Sequence, residues 1–548
     1  MATTHAQVLV VGGGAGGVAA ALAAADAGLD VVLTEPTPWL GGVLTSQAVP
    51  PDEHVWIEQF GCTRSYRRLR DEIRRYYRRW YPLTEAARRE THLNPGGGHV
   101  SSLCCEPRVV LAVIEGMLAP HRASGRLTVR TETHPVAVAA DGDRVTAVSL
   151  HDHRHGEDVT VTAAWVVDAT ETGELLALGG VEHVTGAESR DATGEPHAAP
   201  EHQPLNMQPI TVCFAVDHIA GADFRIDKPD LYDTFRRQRA PGWPEGQLSL
   251  TAPEPRTNAP VRRTFAPNPP AGAAREDEVH RSTELDKDLW LFRRIVDRHR
   301  FVPGTYDSDV TLVNWPQIDY WGGPVFGQAP DRNAEHLRRA RQLSLSWLYW
   351  LQHEAPRPDD GHGWPGLRPR GDLVGGGADG LAMAPYIRES RRIRAEHTVV
   401  EQDIALEVRG RHGAVAHDDT VGIGCYRIDL HPSTGGDPYI DIGCCPFQIP
   451  LGALLPVRVD NLLPGAKNIG TTHITNGTLR IAFVEWNIGE VVGHLAAFCT
   501  AQGALPRQVR ATPALLERFQ QRLMAAGVEL AWPRIEGYER RAPAWAAR

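Results

Sequence analysis

Gln7-Val8-Leu9-Val10-Val11-Gly12-Gly13-Gly14-Ala15-Gly16-Gly17, the Ala- and Leu-rich run from Val18 to Ala27, Gly28, and then Leu29 to Thr34 ending at Glu35 form the stretch that decides the fold. The first five residues are apolar without alternation, as a strand needs when both of its faces are covered. A helix-forming run follows the glycines, and Gly28 closes it where a left-handed residue ends a helix. Leu29 to Thr34 is a second apolar strand. A strand-turn-helix-strand unit within 35 residues predicts an α/β fold with a parallel sheet. Gly12, Gly14 and Gly17 supply G-x-G-x-x-G where a nucleotide site requires it. Gly12 permits the tight turn, Gly14 lets the backbone approach a pyrophosphate, and Gly17 allows close helix-strand packing. The helix start at Ala15 presents free N–H groups to that anion. Glu35 is placed to accept hydrogen bonds from a ribose.

This pattern alone fits either NAD or FAD. After five further residues comes Gly41-Gly42, then Leu44-Thr45. A glycine pair there lets the chain pass close to a second stretch of cofactor, which an extended FAD has and a nicotinamide site lacks. Val166-Val167-Asp168-Ala169-Thr170, with Gly173, reads as a strand ending in a small-residue turn that approaches the cofactor from the other side. FAD is therefore the expected cofactor, with Val136, on a strand between these segments, also assigned to it.

The 548 residues allow two to four domains. With 42% hydrophobic and 23% charged residues and no long apolar run, a soluble protein without a membrane span is expected. The start of the chain lacks a secretory pattern, so the expected location is cytoplasmic. A net charge of -10 argues against a nucleic-acid binder. The arginine-rich segment Arg64 to Arg79 reads as an amphipathic helix with a basic, solvated face; steering of an anionic substrate and docking of a partner are its other readings. Eight cysteines, two adjacent pairs among them, show no C-x-x-C spacing; reduced structural thiols and no metal site are expected. Periodicity predicts helices over 107–118, 285–298, 334–354, 388–400 and 513–527. Strands are predicted over 127–130, 136–140, 145–150, 158–162, 165–167, 211–216, 426–431 and 439–442. Residues 251–284 read as a surface excursion, and 461–501 as a strand, a polar turn and a long apolar helix.

With these motifs the chain resembles FAD-dependent oxidoreductases related to the fumarate reductase and succinate dehydrogenase flavoproteins. It looks most like a bacterial FAD-oxidoreductase family that carries Pro385-Tyr386-Ile387-Arg388-Glu389-Ser390-Arg391-Arg392-Ile393 and Pro446-Phe447-Gln448-Ile449-Pro450-Leu451-Gly452. The resemblance implies a Rossmann-like FAD-binding domain of the glutathione-reductase type, residues 1–200 and 451–505. An α+β substrate domain, 201–450, interrupts it, and a helical tail spans 506–548. It implies that the segment Lys467 to Arg480 returns to the flavin, with Gly470 at the cofactor and the N–H groups of Thr478 and Leu479 at a helix N-terminus facing the ring. Catalytic candidates are His473, Arg480 and His431: a histidine to take a proton, and the guanidinium of Arg480 to hold a carboxylate or polarise an oxygen. Arg388 lines the substrate pocket or pairs with a glutamate. Asn476-Gly477-Thr478-Leu479-Arg480 departs from the H-G-x-N-R-L run of fumarate reductases, so a fumarate or succinate activity does not carry over. His54 and His99 stay open as covalent flavin attachment points. The expected function is hydride transfer between a small organic substrate and FAD, with an unidentified electron acceptor and an open homo-oligomeric state. The alternatives are a reductase or isomerase working from reduced FAD, and a non-catalytic FAD-binding protein.

Overall fold

The computed structural model describes residues 2–272 and 288–533. Its principal helices are α1 (Ala15–Asp26), α2 (Arg64–Trp80), α3 (Pro107–Ala123), α4 (Pro330–His353), α5 (His473–Leu479), α6 (Ala482–Gln502) and α7 (Pro513–Ala526). The main sheet contains β1 (Ala2–Val11), β2 (Val31–Glu35), β3 (Leu127–Thr131), β4 (Thr133–Asp141), β5 (Arg144–Asp152), β6 (Glu157–Asp168) and β7 (Leu462–Pro464). Its order is β3-β2-β1-β6-β5-β4, with β7 joined to β6. β1 runs parallel to both β2 and β6, aligning Val10 with Leu33 and with Val167. β4, β5 and β6 form an antiparallel meander. The fold is thus α/β with a Rossmann-like core, and every residue of β2 is buried, as a strand covered on both faces requires.

The chain returns to this core some three hundred residues later. β7 aligns Leu463 with Val167 of β6, and α6 then lies along α1. Small residues allow the two helix backbones to touch: a Cβ on Gly489 would fall 1.9 Å from the Gly16 carbonyl oxygen, and one on Gly493 would fall 2.4 Å from that of Ala20. Neither neighbour is a side chain that can rotate away. Gly489→Ala is therefore expected to force the helices apart and lower unfolding free energy by about 1–3 kcal/mol or more, read from urea unfolding; an unchanged midpoint would mean that the contact yields freely.

A second core surrounds Phe214, Phe235, Trp290, Trp315 and Trp347. It covers a sheet ordered Arg294–Val296, Val310–Val313, Phe214–His218, Leu367–Pro369, against which α4 packs. Among the described residues no helix is long and apolar enough to cross a membrane. All eight cysteines are free and buried, and burial pushes the Cys104 thiol up to about 12.

Several local expectations are corrected. Residues 158–162 and 165–167 belong to one strand, β6, because its pairing with β1 runs on past Thr162 through Ala163 and Trp165 to Asp168. Residues 211–216 divide between two sheets, as Ile210–Thr211 and Phe214–His218. Residues 388–400 form no long helix. Tyr386–Ile387 and Arg392–Ile393 are extended, since tertiary ion pairs capture the arginines: Arg388 meets Asp319 at 3.0 Å and Arg392 meets Glu188 at 2.9 Å. In the predicted 285–298 helix only Leu289–Phe292 is α-helical, and Arg294 then turns inward to Asp309; residues 285–287 lie outside the described residues. Within 251–284 the described part includes a hairpin of Thr251–Pro253 with Pro260–Arg262, while 273–284 lie outside it. The same holds for 534–548 of the tail.

The amphipathic helix α2 forms with Arg64, Arg68, Arg75 and Arg79 exposed, but two of its arginines turn inward. Arg70 and Arg74 are buried rather than solvated. Arg70 bridges Glu53 and Glu58, and Arg74 donates to Glu58 and to the Leu93 carbonyl. Glu53 also accepts from the hydroxyls of Tyr66 and Ser101, each at 2.9 Å. These bonds fix the loop that carries Asp52.

Candidate active site

At the nucleotide end, Gly12 has φ +99, and a Cβ there would lie 2.2 Å from the Ala169 carbonyl oxygen, where β6 ends. A Cβ on Gly17 would lie 1.9 Å from the Gly12 oxygen. Gly14 is the N-cap of α1 and places no side chain over the first-turn N–H groups from Ala15 onward. Gly41 donates to the Gly13 carbonyl at 2.7 Å, and Gly42, with φ +50, packs on Gly14 so that its Cβ would come 2.8 Å from the Gly14 Cα. The two glycine turns therefore form one bare surface. Glu35 is buried; its Oε2 accepts the Gly13 N–H at 3.0 Å and its Oε1 accepts the Thr37 hydroxyl at 2.7 Å. Burial pushes its carboxyl up to about 7 against those donors. Oε1 also accepts the Thr37 N–H at 3.0 Å, so it is Oε2 that keeps a second lone pair for a ribose hydroxyl. These clearances, uncapped donors and acceptors fit the adenosine and pyrophosphate of FAD.

Other predicted cofactor residues have structural tasks as well. Leu44 is buried in the core, and the Thr45 hydroxyl donates to the Leu40 carbonyl at 2.6 Å, holding the turn. Asp168 accepts from the Thr170 N–H and hydroxyl, and burial pushes its carboxyl up to about 6. Gly470 packs where a Cβ would strike Ala395 and the His397 carbonyl. Val136 sits at the register shift between Pro135 and Ala137 of β4 and is 40% exposed.

Thr478 and Leu479 are not at a helix N-terminus. They end α5, with Arg480 as its C-cap, and α6 starts afresh at Ala482 after the N-cap Ile481. The α5 N-terminus is already satisfied by the Thr472–Thr475 capping box and by Glu188, which accepts the His473 N–H at 2.9 Å. Ile481 has no side-chain cap, so the helix dipole and free donors available to a flavin ring belong to the first turn of α6. The break between the helices, at Arg480-Ile481, has no Gly or Pro to announce it. His54 spends both ring nitrogens locally: its Nε2 meets the Gly61 carbonyl at 3.1 Å and its Nδ1 accepts the Trp56 N–H at 3.2 Å.

Arg480 and His431 come together around carboxylates that the sequence does not announce. His431 Nδ1 is 2.5 Å from Asp319 Oδ2, and its Nε2 is 3.5 Å from Asp429 Oδ2. Arg480 donates to the Asp429 carboxylate at 3.2 Å and to the Tyr386 hydroxyl. Arg388 binds Asp319, the Thr211 hydroxyl and the Pro209 carbonyl rather than Glu389 or Glu396. Arg293 lies 3.7 Å from Asp52. Several donors here are buried without a hydrogen-bond acceptor: Nε of Arg293, whose Nη1 faces Asp52, Nε of Arg388, Nε of Arg480, and the Tyr439 hydroxyl. Burial pushes the Asp52 carboxyl up, with Arg293 and Arg480 opposing. Burial also acts to raise Asp319, but Arg388 and His431 outweigh it and hold that carboxyl low. For His431, burial and Arg388 act downward, yet Asp319 and Asp429 prevail and its pKa is raised.

His473 shares none of these partners. Its Nδ1 pairs with Glu389 at 2.9 Å, inside a buried network with Arg392. Asp429 had a legible signal, since residues i and i+2 of an extended segment share a face and His431 follows by two. Asp52, Arg293, Asp319 and Tyr439 had none.

A family model described as FAD dependent oxidoreductase matches residues 7–523. No curated protein matches the chain. Matching solved structures include the L-proline dehydrogenase from P. horikoshii, 16% identical over 34% of this chain and 24% of that one, TM-score 0.18. Mycobacterium smegmatis Sdh1 in complex with UQ1 is 13% identical over 39% and 42%, TM-score 0.26. An open-conformation flavocytochrome c3 fumarate reductase is 19% identical over 31% and 34%, TM-score 0.20. The chain thus spans less than half the length of each of these proteins.

Proposed function

We propose, for a chain that belongs to the FAD dependent oxidoreductase family over residues 7–523, a two-electron hydrogen transfer at a carbon of a small, oxyanion-bearing substrate, with His431 exchanging the substrate proton. The observation that carries this reading is the set of buried, acceptor-free donors of Arg293, Arg388, Arg480 and Tyr439 around His431. Buried donors left unpaired are costly, about 1–3 kcal/mol each, so a substrate that brings acceptors relieves them. A carboxylate suits guanidinium donors in charge and geometry.

FAD, when bound, supplies the acceptor that takes two electrons and the hydrogen leaving carbon. The rest is the work of side chains. Asp319 is ionised and accepts from His431 Nδ1, which leaves the Nε2 lone pair to take the proton of a hydroxyl or amine. Asp429 then faces the imidazolium. Arg480 and Arg293 hold the oxyanion and orient the reacting carbon.

The test is anaerobic titration of the flavin-loaded protein with 2-hydroxy and 2-amino acids beside their amides and neutral sugars. The acids are expected to bleach the flavin and the amides to fail; a neutral sugar that bleaches it faster would remove the oxyanion from the proposal. The raised pKa of His431 favours a second reading, reduction of an unsaturated or keto acid, because an imidazolium is a ready proton donor. Reoxidation of the reduced flavin by such acids distinguishes the two directions.

A further inference from the structure

We propose that Lys467 is the counter-ion of the FAD pyrophosphate, and that the Glu171 carboxylate holds the pyrophosphate's place until the cofactor arrives. The bare surface formed by Gly14 and Gly42 is occupied on one side by Glu171 Oε1. A Cβ built on either glycine would come within 2.9 Å of that oxygen. An acidic side chain therefore sits at the mouth of an uncapped helix N-terminus, where helix donors favour negative charge. Lys467 Nζ lies 2.5 Å from the other Glu171 oxygen and 3.2 Å from Glu485 Oε1.

The charges in this group are unequal: one buried ammonium faces two carboxylates. A pyrophosphate laid across Gly14 and Gly42 adds further negative charge beside Glu171, and the two anions cannot share that gap. Glu485 is fixed in the first turn of α6 and buried. Glu171 is 25% exposed and stands in the turn after β6, so it is the group able to leave. Its departure frees Lys467 Nζ to face the pyrophosphate over a short distance in a setting of weak screening. Lys467 is buried and held in place from the far side by Glu485, which spares the ordering of a long side chain on binding.

A purely structural ion pair and an exchanging one differ in sign. With the flavin-stripped full chain, FAD and ADP binding are measured by calorimetry, with riboflavin as the probe that lacks a pyrophosphate. Glu171→Gln is expected to tighten FAD and ADP about tenfold, since it removes the competing charge, and Lys467→Met to weaken both about tenfold or more. Riboflavin binding is expected to change in neither variant. If both substitutions weaken binding, or if riboflavin shifts alongside FAD, the proposal is overturned. Should Lys467→Met fail to fold, Glu171→Gln decides alone: tightening of ADP supports the exchange, and no tightening refutes it.

Discussion

Replacing His431 with glutamine is expected to lower kcat by about 10²–10⁴-fold, the usual contribution of a positioned proton acceptor, while the flavin stays bound. The residue pairs with Asp319 and Asp429 and not with the glycine turns at residues 12–17 and 41–42, so cofactor content is a fair control. The sign of the pH dependence follows from the raised pKa. Only the neutral imidazole accepts a proton, so oxidation rises with pH and reaches its plateau above the ordinary histidine value of about 6.5. Reduction runs the other way and is fastest below that limb. In the glutamine variant the limb disappears. Asp319→Asn keeps the shape but withdraws a charge that raises the imidazole, and the limb is expected to move to lower pH. A limb that survives unchanged in both variants would assign proton exchange to another group, with His473 the next to examine.

Arg70→Met is expected to lower stability by about 3–5 kcal/mol, the effect of leaving a buried charge without its partner. Arg70 is 2% exposed and bridges two glutamates, of which the Glu53 side chain has no exposure at all. After the substitution Glu53 keeps only the hydroxyls of Tyr66 and Ser101, too little to solvate an ionised carboxylate. Adding Glu53→Gln removes the orphaned charge and is expected to restore part of the loss, read from the midpoints of urea unfolding. Full additivity of the two changes would show that the pair is not coupled. Because Asp52 is the next residue, the single variant is also expected to raise KM more than it lowers kcat.

The nucleotide half of the molecule was legible because backbone constraints are local. A turn at Gly12, a bare N-cap at Gly14 and an acid at the end of the next strand are written within 35 consecutive residues. The site half was less so. Asp319 and His431 are more than a hundred residues apart, Asp319 in the short strand Asp319–Tyr320 and His431 just past the short strand Ile428–Leu430, with no periodicity to mark them. Arg388 and Arg392 sit in a segment with helical spacing that became extended once their ion pairs formed, tertiary context overriding a weak local preference. The two-helix break at Arg480-Ile481 misled for a related reason. No Gly or Pro stands at the break itself, where Arg480 is held by the Tyr386 hydroxyl and Asp429.

The contact between α1 and α6 also sets an order of assembly during synthesis. The glycine-rich helix leaves the ribosome first, but the surface that Gly489 and Gly493 offer to it is made about 450 residues later, roughly 20–90 s at bacterial or eukaryotic elongation rates. Throughout that interval a helix that is apolar on nearly every side has no native cover. The nascent chain is then a client for holding chaperones, and any chain released before α6 is a substrate for proteolysis rather than a half-active enzyme.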